Sequence, residues 1–305
     1  MSILITGGAG FIGSHLVRAL LARSWEVFVM DDFSASDSSS LDGLSGKLNV
    51  YGGSVTDTKL LAAVMRHGVT HVAHLATRNI TVSETDPARS FAVNAGGMVA
   101  ILREAAKHQV RRVVFTSTTS VYGDDQMPAF EHYVPKPKTV YSIAKYAAEL
   151  CGAAAPDVPL DILRLSNVYG PGQNDSANPY CGVIGHFMRA AAAGTPVTIY
   201  GDGTATRDYT YIDDVVAALV TTIVQGSGGG VFNVSTGHET STNDLAAMVA
   251  GVTGRPIEIS HRAARSIDIV RRRVVDSSKF QAAFSWAPSV DLEHGLSRTW
   301  ESWNK

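Results

Sequence analysis

Two hydrophobic periods alternate along the first half of this chain. Apolar runs at residues 3–5 and 26–30 flank a segment, Phe11–Leu21, in which apolar residues recur at helical spacing. The strand-like runs "LNVYGG", "HVAHLA" and "RRVVFTS" are likewise separated by helical patterns at 59–67 and 94–107. Strands that alternate with helices are typical of a parallel sheet covered by helices. We therefore predict an α/β fold with a Rossmann-type, doubly wound parallel sheet.

The alternation of strand-like and helical hydrophobic patterns becomes less regular after residue 165. Gly, Pro and Asn gather in "NVYGPGQNDSANPYCG", and the elements that follow are shorter, among them "IEIS", "IVRRRVV" and "LSRTWESW". This change predicts two domains. The first domain spans 1–165 and also includes a later segment of the chain at about 208–235. A smaller C-terminal domain comprises 166–207 and 236–305.

The stretch "ILITGGAGFIGSHL" places Gly7, Gly10 and Gly13 between a predicted strand and a predicted helix. Glycines there permit a tight turn and let a pyrophosphate approach the backbone at the helix N-terminus. Asp31 ends the next strand 18 residues after Gly13, where an acid accepts ribose hydroxyls and repels the 2′-phosphate of NADP. No G-K-[ST] sequence closes the glycine run, which excludes a Walker-type loop. The predicted ligand is NAD.

Composition narrows the class of partner. The chain has 305 residues, of which 45% are hydrophobic and 18% charged, and its net charge of −2 argues against nucleic acid or an acidic membrane surface as a partner. No apolar run is long enough for a bilayer, and the first residues do not resemble a signal peptide. Cys151 and Cys181 lack metal-site neighbours, so we expect reduced thiols and no metal. These features predict a cytoplasmic protein.

The sequence "YSIAK" offers a candidate base. Tyr141 and Lys145 share one face of a helix, and a nearby ammonium favours the phenolate of a tyrosine whose ordinary pKa is about 10. Because Y-x-x-x-K is common, a surface pair with no chemistry is the alternative. The hydroxyl-rich "FTSTTSVYG" ends a predicted strand about twenty residues earlier, at the edge where α/β sheets place ligands.

The motifs "TGGAGFIGSHL", "MDDFS", "HLAT", "VNAGG", "STTSVYG", "YSIAK", "RLSNVYGPGQ", "YGDGTATRDYTYIDDV", "FNVSTG" and "DSSK" follow one another along nearly the whole chain. In this order they resemble the extended short-chain dehydrogenase/reductase family, in particular its NAD-dependent nucleotide-sugar epimerase/dehydratase group. The resemblance implies a first domain that binds NAD, a second that binds a nucleotide sugar, and a homodimer.

The resemblance also implies roles for individual residues. Tyr141 corresponds to the catalytic base, Lys145 to its partner that also reaches the nicotinamide ribose, and Thr118 to the residue that hydrogen-bonds the reacting sugar hydroxyl. The residues that match the dinucleotide site are Gly7, Gly10, Phe11, Ile12, Gly13, Asp31, Leu75, Ala76 and Asn94. The residues that resemble those holding the nucleotide diphosphate are Asn167, Arg207 and Arg265.

Departures from the family pattern refine the expected reaction. Ser54 stands where many relatives carry an Asp that contacts adenine, and the R-x-G-D phosphate motif around Arg265 lacks its glycine. Thr119 and Ser120 stand where dehydratases carry Asp-Glu and where decarboxylases have a nearby Glu. The expected reaction is therefore C4 epimerisation of a UDP-sugar through a 4-keto intermediate. A 4,6-dehydratase, a 4-keto reductase and a non-catalytic NAD-sensing regulator are the alternatives.

The arginine run 271–273 has two interpretations. In a strand, Arg271 and Arg273 share one face and Arg272 takes the other. The arginines could protect an edge strand from aggregation, or one of them could bind a phosphate. The sequence does not select among them.

Overall fold

Strands and helices alternate along the chain much as the hydrophobic periods predict. The computed structural model describes residues 1–124, 126–173, 182–264 and 270–303. Its strands are β1 (Ser2–Thr6), β2 (Glu26–Asp31), β3 (Leu48–Gly52), β4 (His71–His74), β5 (Arg112–Thr118), β6 (Leu160–Leu165), β7 (Asn167–Tyr169), β8 (Val197–Tyr200), β9 (Thr206–Arg207), β10 (Tyr209–Tyr211), β11 (Val231–Val234), β12 (Thr240–Ser241), β13 (Ile259–Arg262) and β14 (Arg272–Arg273). Its α-helices are α1 (Phe11–Leu21), α2 (Thr58–Met65), α3 (Ile80–Thr85), α4 (Pro87–Phe91), α5 (Gly97–Lys107), α6 (Val140–Ala153), α7 (Val183–Ala193), α8 (Ile212–Gln225), α9 (Thr242–Thr253), α10 (Ser278–Phe284) and α11 (Leu292–Trp303).

Seven strands form one parallel sheet in the order β11-β6-β5-β4-β1-β2-β3. The strand β1 pairs with β2 on one side and with β4 on the other, so the strand order reverses beside β1. In open α/β sheets, ligands bind beyond the carboxyl ends of the strands at such a reversal. The architecture confirms the predicted Rossmann-type fold.

The central strands are buried on both faces because helices cover the sheet, which explains their continuous apolar runs. All five residues of β1 are buried, and Leu16 and Leu20 of α1 are fully buried. A connected core cluster includes Leu4, Phe28, Val72, Met98, Ile101 and Phe115. Single large-to-small substitutions in such a core cost about 2–5 kcal/mol.

The chain divides into two compact units. The first unit comprises residues 1–121, 137–164 and 216–232, and the second comprises 122–136, 165–215 and 233–305. The division therefore differs from the predicted boundaries, because 122–136 joins the second unit and the returning segment is shorter. Backbone bonds that residues near 129 make with 274–276 bind this segment to the second unit. A sequence pattern does not reveal such long-range pairing.

The second unit contains small sheets. The strands β10 and β7 form one pair, β13 and β8 form another, and β9 lies between β12 and β14. Within the described ranges, none of the helices has the length and apolarity needed to cross a membrane.

Candidate active site

The glycine-rich loop joins β1 to α1 with almost no room for side chains. Gly7 has φ +72°, and a Cβ there would lie 2.7 Å from the backbone nitrogen of Ala76. A Cβ on Gly13 would overlap the carbonyl oxygen of Gly7. Gly10 precedes α1 and has no side chain to cap the first N–H groups, which belong to Phe11 and Ile12. The loop therefore offers bare backbone and helix N–H donors, which fits a pyrophosphate.

Asp31 lies at the carboxyl end of β2, beside the glycine loop. Its Oδ2 accepts a hydrogen bond from Ala9 N and its Oδ1 one from Phe33 N, both 2.9 Å long. Burial raises the pKa of this carboxyl above its ordinary value, and the two backbone hydrogen bonds act in the opposite direction. The ionised carboxylate has acceptor capacity beyond these two bonds. Asp31 is thus held rigidly and can accept further donors, as its predicted role with ribose hydroxyls requires.

Leu75 and Ala76 follow β4 and lie against the same loop. The backbone N–H of Leu75 donates to Thr6 O at 3.0 Å, and that of Ala76 donates to Thr6 Oγ1 at 3.3 Å. Together with the close approach of Gly7, these bonds bring the ends of β1 and β4 together at the reversal in strand order. The predicted lining residues of the cofactor site therefore gather at one edge of the sheet.

Asn94 is fully buried in a π-helical turn, 92–96, which precedes α5. Its Oδ1 accepts from Arg78 N at 2.7 Å and from Thr77 Oγ1 at 3.0 Å, while its Nδ2 donates to Arg78 O at 2.9 Å and to Ser90 Oγ at 3.2 Å. The amide group thus uses its full hydrogen-bonding capacity to fix the backbone after β4. A contact between Asn94 and NAD stays a prediction.

An ion pair that the sequence does not reveal lies next to Asp31. The buried guanidinium of Arg78 bonds Asp32 Oδ2 at 2.5 Å and also donates to Ser34 Oγ. The charge of Arg78 favours the ionised form of Asp31, whereas the charge of Asp32 opposes it. The loop after β2 is thus tied to the segment that follows β4.

The three candidate catalytic residues come from two neighbouring elements. Thr118 ends β5, and its Oγ1 accepts a 3.1 Å hydrogen bond from Ser120 N. Tyr141 and Lys145 lie one turn apart near the start of α6, which packs against β5. A capping box between Thr139 and Ser142 fixes where this helix begins. The pairing of a strand end with a helix start places these residues at the carboxyl edge of the sheet.

The ammonium of Lys145 is buried against an aromatic ring. Its Nζ lies 4.4 Å from the centroid of Phe115, a residue of β5. Burial lowers the pKa of Lys145 to about 7, and the negative charge of Glu149, one turn further along α6, acts in the opposite direction. The ammonium that would favour a Tyr141 phenolate is therefore itself only partly protonated near neutral pH.

Glu149 belongs to a buried network that connects three elements. Its carboxylate accepts from Ser117 Oγ of β5, from Arg164 Nε of β6 at 3.1 and 3.2 Å, and from an Arg164 terminal nitrogen at 2.5 Å. All three side chains are buried. Sequence reasoning missed this network, although the spacing Y-x-x-x-K-x-x-x-E places Glu149 on the same helix face as Lys145.

His74 ends β4 and is fully buried. Its Nδ1 is bonded to Thr6 Oγ1 at 2.7 Å, and its ring stacks on Phe115 with centroids 5.4 Å apart. Burial, reinforced by the charge of Lys145, lowers the pKa of His74 to about 3. The imidazole of His74 is therefore neutral and packed in the core, which is typical of a packing residue and not of a proton carrier.

The predicted diphosphate residues lie in the second unit, except that Arg265 falls outside the described residues. Asn167 begins β7, and its Nδ2 donates to Asp208 O at 3.2 Å. Arg207 of β9 donates to Thr206 O at 2.7 Å and to Val270 O at 2.9 Å. The strands β7 and β10 pair in parallel, with Tyr209 opposite Asn167, so Asn167 and Arg207 are held by adjacent parts of the chain.

The three arginines at 271–273 have different neighbours. Arg271 bonds Asp202 at 2.9 Å and Thr204 Oγ1 at 2.8 Å, and it is well exposed. Arg272 bonds both carboxylate oxygens of Glu239. Arg273 pairs with Arg207 in the ladder between β14 and β9.

Comparisons with known proteins find relatives along nearly the whole chain. The sequence matches the NAD dependent epimerase/dehydratase family over residues 3–235. The UDP-glucose 4-epimerase of Mycolicibacterium smegmatis is 35% identical over 309 residues, which cover 99% of this chain and 98% of that protein. The UDP-N-acetyl-alpha-D-glucosaminuronate decarboxylase of Bacillus cytotoxicus is 32% identical over 311 residues, with coverages of 97% and 95%.

The solved structure of the UDP-glucose 4-epimerase of Thermotoga maritima with UDP-glucose has a similar fold, with a TM-score of 0.92 and 34% sequence identity. The match covers 100% of this chain and 99% of the Thermotoga maritima chain. The match to a family defined by its dependence on NAD confirms the predicted cofactor.

Proposed function

The chain belongs to the NAD dependent epimerase/dehydratase family, as its motifs predict, and we propose that its own reaction is the 4-epimerisation of a UDP-sugar. The relatives include 4-epimerases and a decarboxylase, so family membership alone leaves the reaction open. The choice depends on which proton-transfer groups stand beside the reacting carbon.

The residues present fit NAD, because the loop at Gly7 and Gly13 has no space for a Cβ and Asp31 is held at the end of β2. The N–H groups at the start of α1 would bind the pyrophosphate, and Asp31 the adenosine ribose. Leu75 and Ala76 would line the same site. When bound, NAD supplies the hydride acceptor and donor for the sugar carbon.

Tyr141 would accept the proton of the sugar hydroxyl through its phenolate oxygen and later return it. Lys145, one turn along α6, would favour that phenolate while it is itself protonated. Thr118 would orient the hydroxyl through its Oγ1. The role of a non-catalytic NAD sensor is disfavoured because all three groups are present on β5 and α6.

One observation carries the choice of epimerisation. The two residues that follow Thr118 are Thr119 and Ser120, in a 3₁₀ turn directly after β5. Dehydration at C6 and decarboxylation require an additional acid or base, which neither side chain provides. Proton exchange at a single oxygen needs only Tyr141.

The first unit would bind NAD, and the second unit would bind the nucleotide sugar. In the second unit, Arg207 and Asn167 are the described candidates for the diphosphate. Arginine suits this role because its planar guanidinium can make two parallel hydrogen bonds to a phosphate.

We also infer a homodimer. The helices α5 and α6 pack together, and each exposes large apolar side chains, Val99 on α5 and both Ile143 and Leu150 on α6. Ile143 and Leu150 are seven residues apart, so they lie on one face of α6. An exposed apolar surface on two adjacent helices is typical of an interface.

The test is product analysis. The NAD-loaded protein is incubated separately with UDP-glucose, UDP-glucuronate and dTDP-glucose, and the products are followed by mass spectrometry and NMR. Epimerisation gives a product of unchanged mass, in which the proton on C4 has different couplings to its neighbours because the configuration at C4 is inverted. Loss of water would instead identify a dehydratase, and loss of carbon dioxide a decarboxylase.

A further inference from the structure

Phe33 has an unusual backbone conformation and lies two residues after Asp31, the candidate ligand of the adenosine ribose. Its φ is +52°, in the left-handed region that a bulky side chain rarely adopts because Cβ then crowds the backbone. The N–H of the same residue donates the 2.9 Å hydrogen bond to Asp31 Oδ1. A strained residue is therefore one of the two groups that orient the Asp31 carboxylate.

Arg78 contacts the residues on both sides of Phe33. Its terminal nitrogens bond Asp32 Oδ2 at 2.5 Å and Ser34 Oγ. The Oγ of Ser34 in turn donates to Asp32 Oδ1 at 2.5 Å, so the three side chains form one connected set. A strained backbone persists only where the surrounding contacts over-determine it. The contacts of Arg78 to both neighbours of Phe33 meet that condition.

The ion pair between Arg78 and Asp32 persists at neutral pH. Burial acts to raise the pKa of Asp32, but the hydrogen bonds from Ser34 and the charge of Arg78 together lower it below its ordinary value. An arginine keeps its proton throughout the range in which proteins are folded. The connection between Arg78 and the segment 31–34 is therefore always charged near neutrality.

The backbone of Arg78 is fixed by buried hydrogen bonds. The fully buried Asn94 accepts from Arg78 N at 2.7 Å and donates to Arg78 O at 2.9 Å. Its Nδ2 also donates to Ser90 Oγ, which lies 2.6 Å from Ser83 Oγ in a buried pair. The guanidinium thus reaches the segment after β2 from a backbone that cannot easily shift.

This arrangement costs free energy at two points. The side chain of Arg78 is only 7% exposed, and in the part of the chain that the structure describes its Nε–H has no hydrogen-bond partner. A buried donor without a partner is destabilising, and a buried ion pair is weak evidence of added stability. The second cost is the strained φ of Phe33. Costs of this kind gather at ligand-binding sites, where they hold the site in its binding conformation.

We propose that Arg78 is a positioning residue for NAD, which holds the segment 31–34 in its binding conformation before the cofactor arrives. This inference rests on the proposed role of Asp31 in binding the adenosine ribose. The contacts of Arg78 to Asp32 and Ser34 stabilise the left-handed conformation of Phe33. The binding of NAD then does not have to supply the free energy for ordering the segment.

The experiment measures NAD binding by calorimetry to the whole 305-residue chain after bound nucleotide has been removed. Arg78→Met removes the guanidinium but keeps an unbranched side chain. Phe33→Asn introduces a residue that tolerates the left-handed region, so the segment needs less support from Arg78. Both single variants, their double variant and Asp31→Asn are compared with wild type, and thermal melting establishes that each is folded. Ser34→Ala removes one of the two contacts at an exposed position and replaces Arg78→Met if that variant does not fold.

The matched control is Arg112→Met. Arg112 is also an arginine of the first unit with an Nε that has no hydrogen-bond partner among the described residues, and its charged neighbour is Asp161. It begins β5 and therefore lies at the amino edge of the parallel sheet, opposite the edge that carries Asp31.

We expect Arg78→Met to weaken NAD binding by roughly ten- to hundredfold, which corresponds to a segment that occupies its binding conformation for about 1–10% of the time. In the Phe33→Asn background, the same substitution should weaken binding by about threefold or less. Arg112→Met should lower Tm but keep NAD binding within about twofold of wild type.

The inference is wrong if folded Arg78→Met, or Ser34→Ala in its place, binds NAD within about twofold of wild type. It is equally wrong if the loss of affinity is the same with Phe33 as with Asn at this position, because Arg78 then does not act through Phe33. In both cases weaker NAD binding by Asp31→Asn still supports the proposed role of Asp31. If Asp31→Asn binds NAD as tightly as wild type, that proposed role fails, and this inference fails with it.

Discussion

The Nζ of Lys145 lies 4.4 Å above the ring of Phe115, with the carboxylate of Glu149 one helical turn further along the same helix. The aromatic face and the carboxylate both favour the ammonium, whereas burial opposes it. The balance lowers the pKa of Lys145 to about 7. The protonation of this side chain is therefore sensitive to pH near neutrality.

Lys145→Met should make the free protein more stable at neutral pH. In the unfolded chain the lysine keeps its ordinary pKa of 10.5, so between about pH 7 and 10.5 the unfolded state binds one more proton than the folded state. The Lys145 contribution to the free energy of unfolding therefore rises with pH across this window and is most unfavourable below it. We expect Tm to rise by several degrees near pH ~6, and less near pH ~10.

Thermal melts of wild type, Lys145→Met and the exposed control Lys59→Met, across this pH range and without NAD, measure the effect. If the Tm of Lys145→Met depends on pH in the same way as that of wild type, the prediction that Lys145 causes this dependence is wrong.

Glu149→Gln should shift the alkaline limb of the pH–rate profile to lower pH. The charge of Glu149 raises the pKa of Lys145, so its removal lets the ammonium lose its proton at lower pH. The matched control is Glu104→Gln on α5, which removes another buried glutamate with its own ion pairs. If both variants lose activity without a displaced limb, Glu149 has only a structural role.

Tyr141→Phe should lower kcat by about 10²- to 10⁴-fold, because the ring is retained but the proton acceptor is lost. Its affinity for NAD should stay close to that of wild type. Thr118→Val, which is nearly isosteric, should lose less activity because Thr118 orients the hydroxyl without taking its proton. Steady-state kinetics measure the loss of kcat, and cofactor titration measures the affinity for NAD. If Tyr141→Phe has the same kcat as the wild-type protein, Tyr141 is not the base.

The wild-type protein should bind NAD more tightly than NADP, since the Asp31 carboxylate repels a 2′-phosphate. Asp31→Asn keeps an acceptor oxygen but removes the charge. The variant should therefore bind NAD more weakly and have a smaller preference for NAD over NADP. Calorimetry with both cofactors, with the exposed Asp42→Asn as control, measures this. Tighter binding of NADP by the wild-type protein would refute the assignment of Asp31.

Val99→Glu should dissociate the inferred homodimer, because it places a charge in the exposed apolar surface of α5 and α6. Light scattering after size exclusion measures the mass in solution. Val224→Glu introduces the same change at a similarly exposed position on α8 and should leave the mass unchanged. A monomeric wild-type protein would contradict the inference directly.

The sequence by itself predicted the main strands and helices of the first half of the chain and the positions of several candidate site residues on them. The predicted helix Phe11–Leu21 agrees with the observed α1, and Thr118 ends its strand as expected. These features are local: hydrophobic period, glycine placement and the four-residue spacing of Tyr141 and Lys145 act within one element or its turn. Their chemical roles remain predictions that the experiments above test.

Only the tertiary structure decided which distant residues meet. The carboxylate of Glu149 is joined to Ser117 and Arg164, and these residues come from three elements separated along the chain. Arg273 rather than Arg271 or Arg272 is opposite Arg207, because the register of β14 against β9 sets the pairing. Local propensity does not encode register or burial, since both depend on the free energy of packing the whole unit.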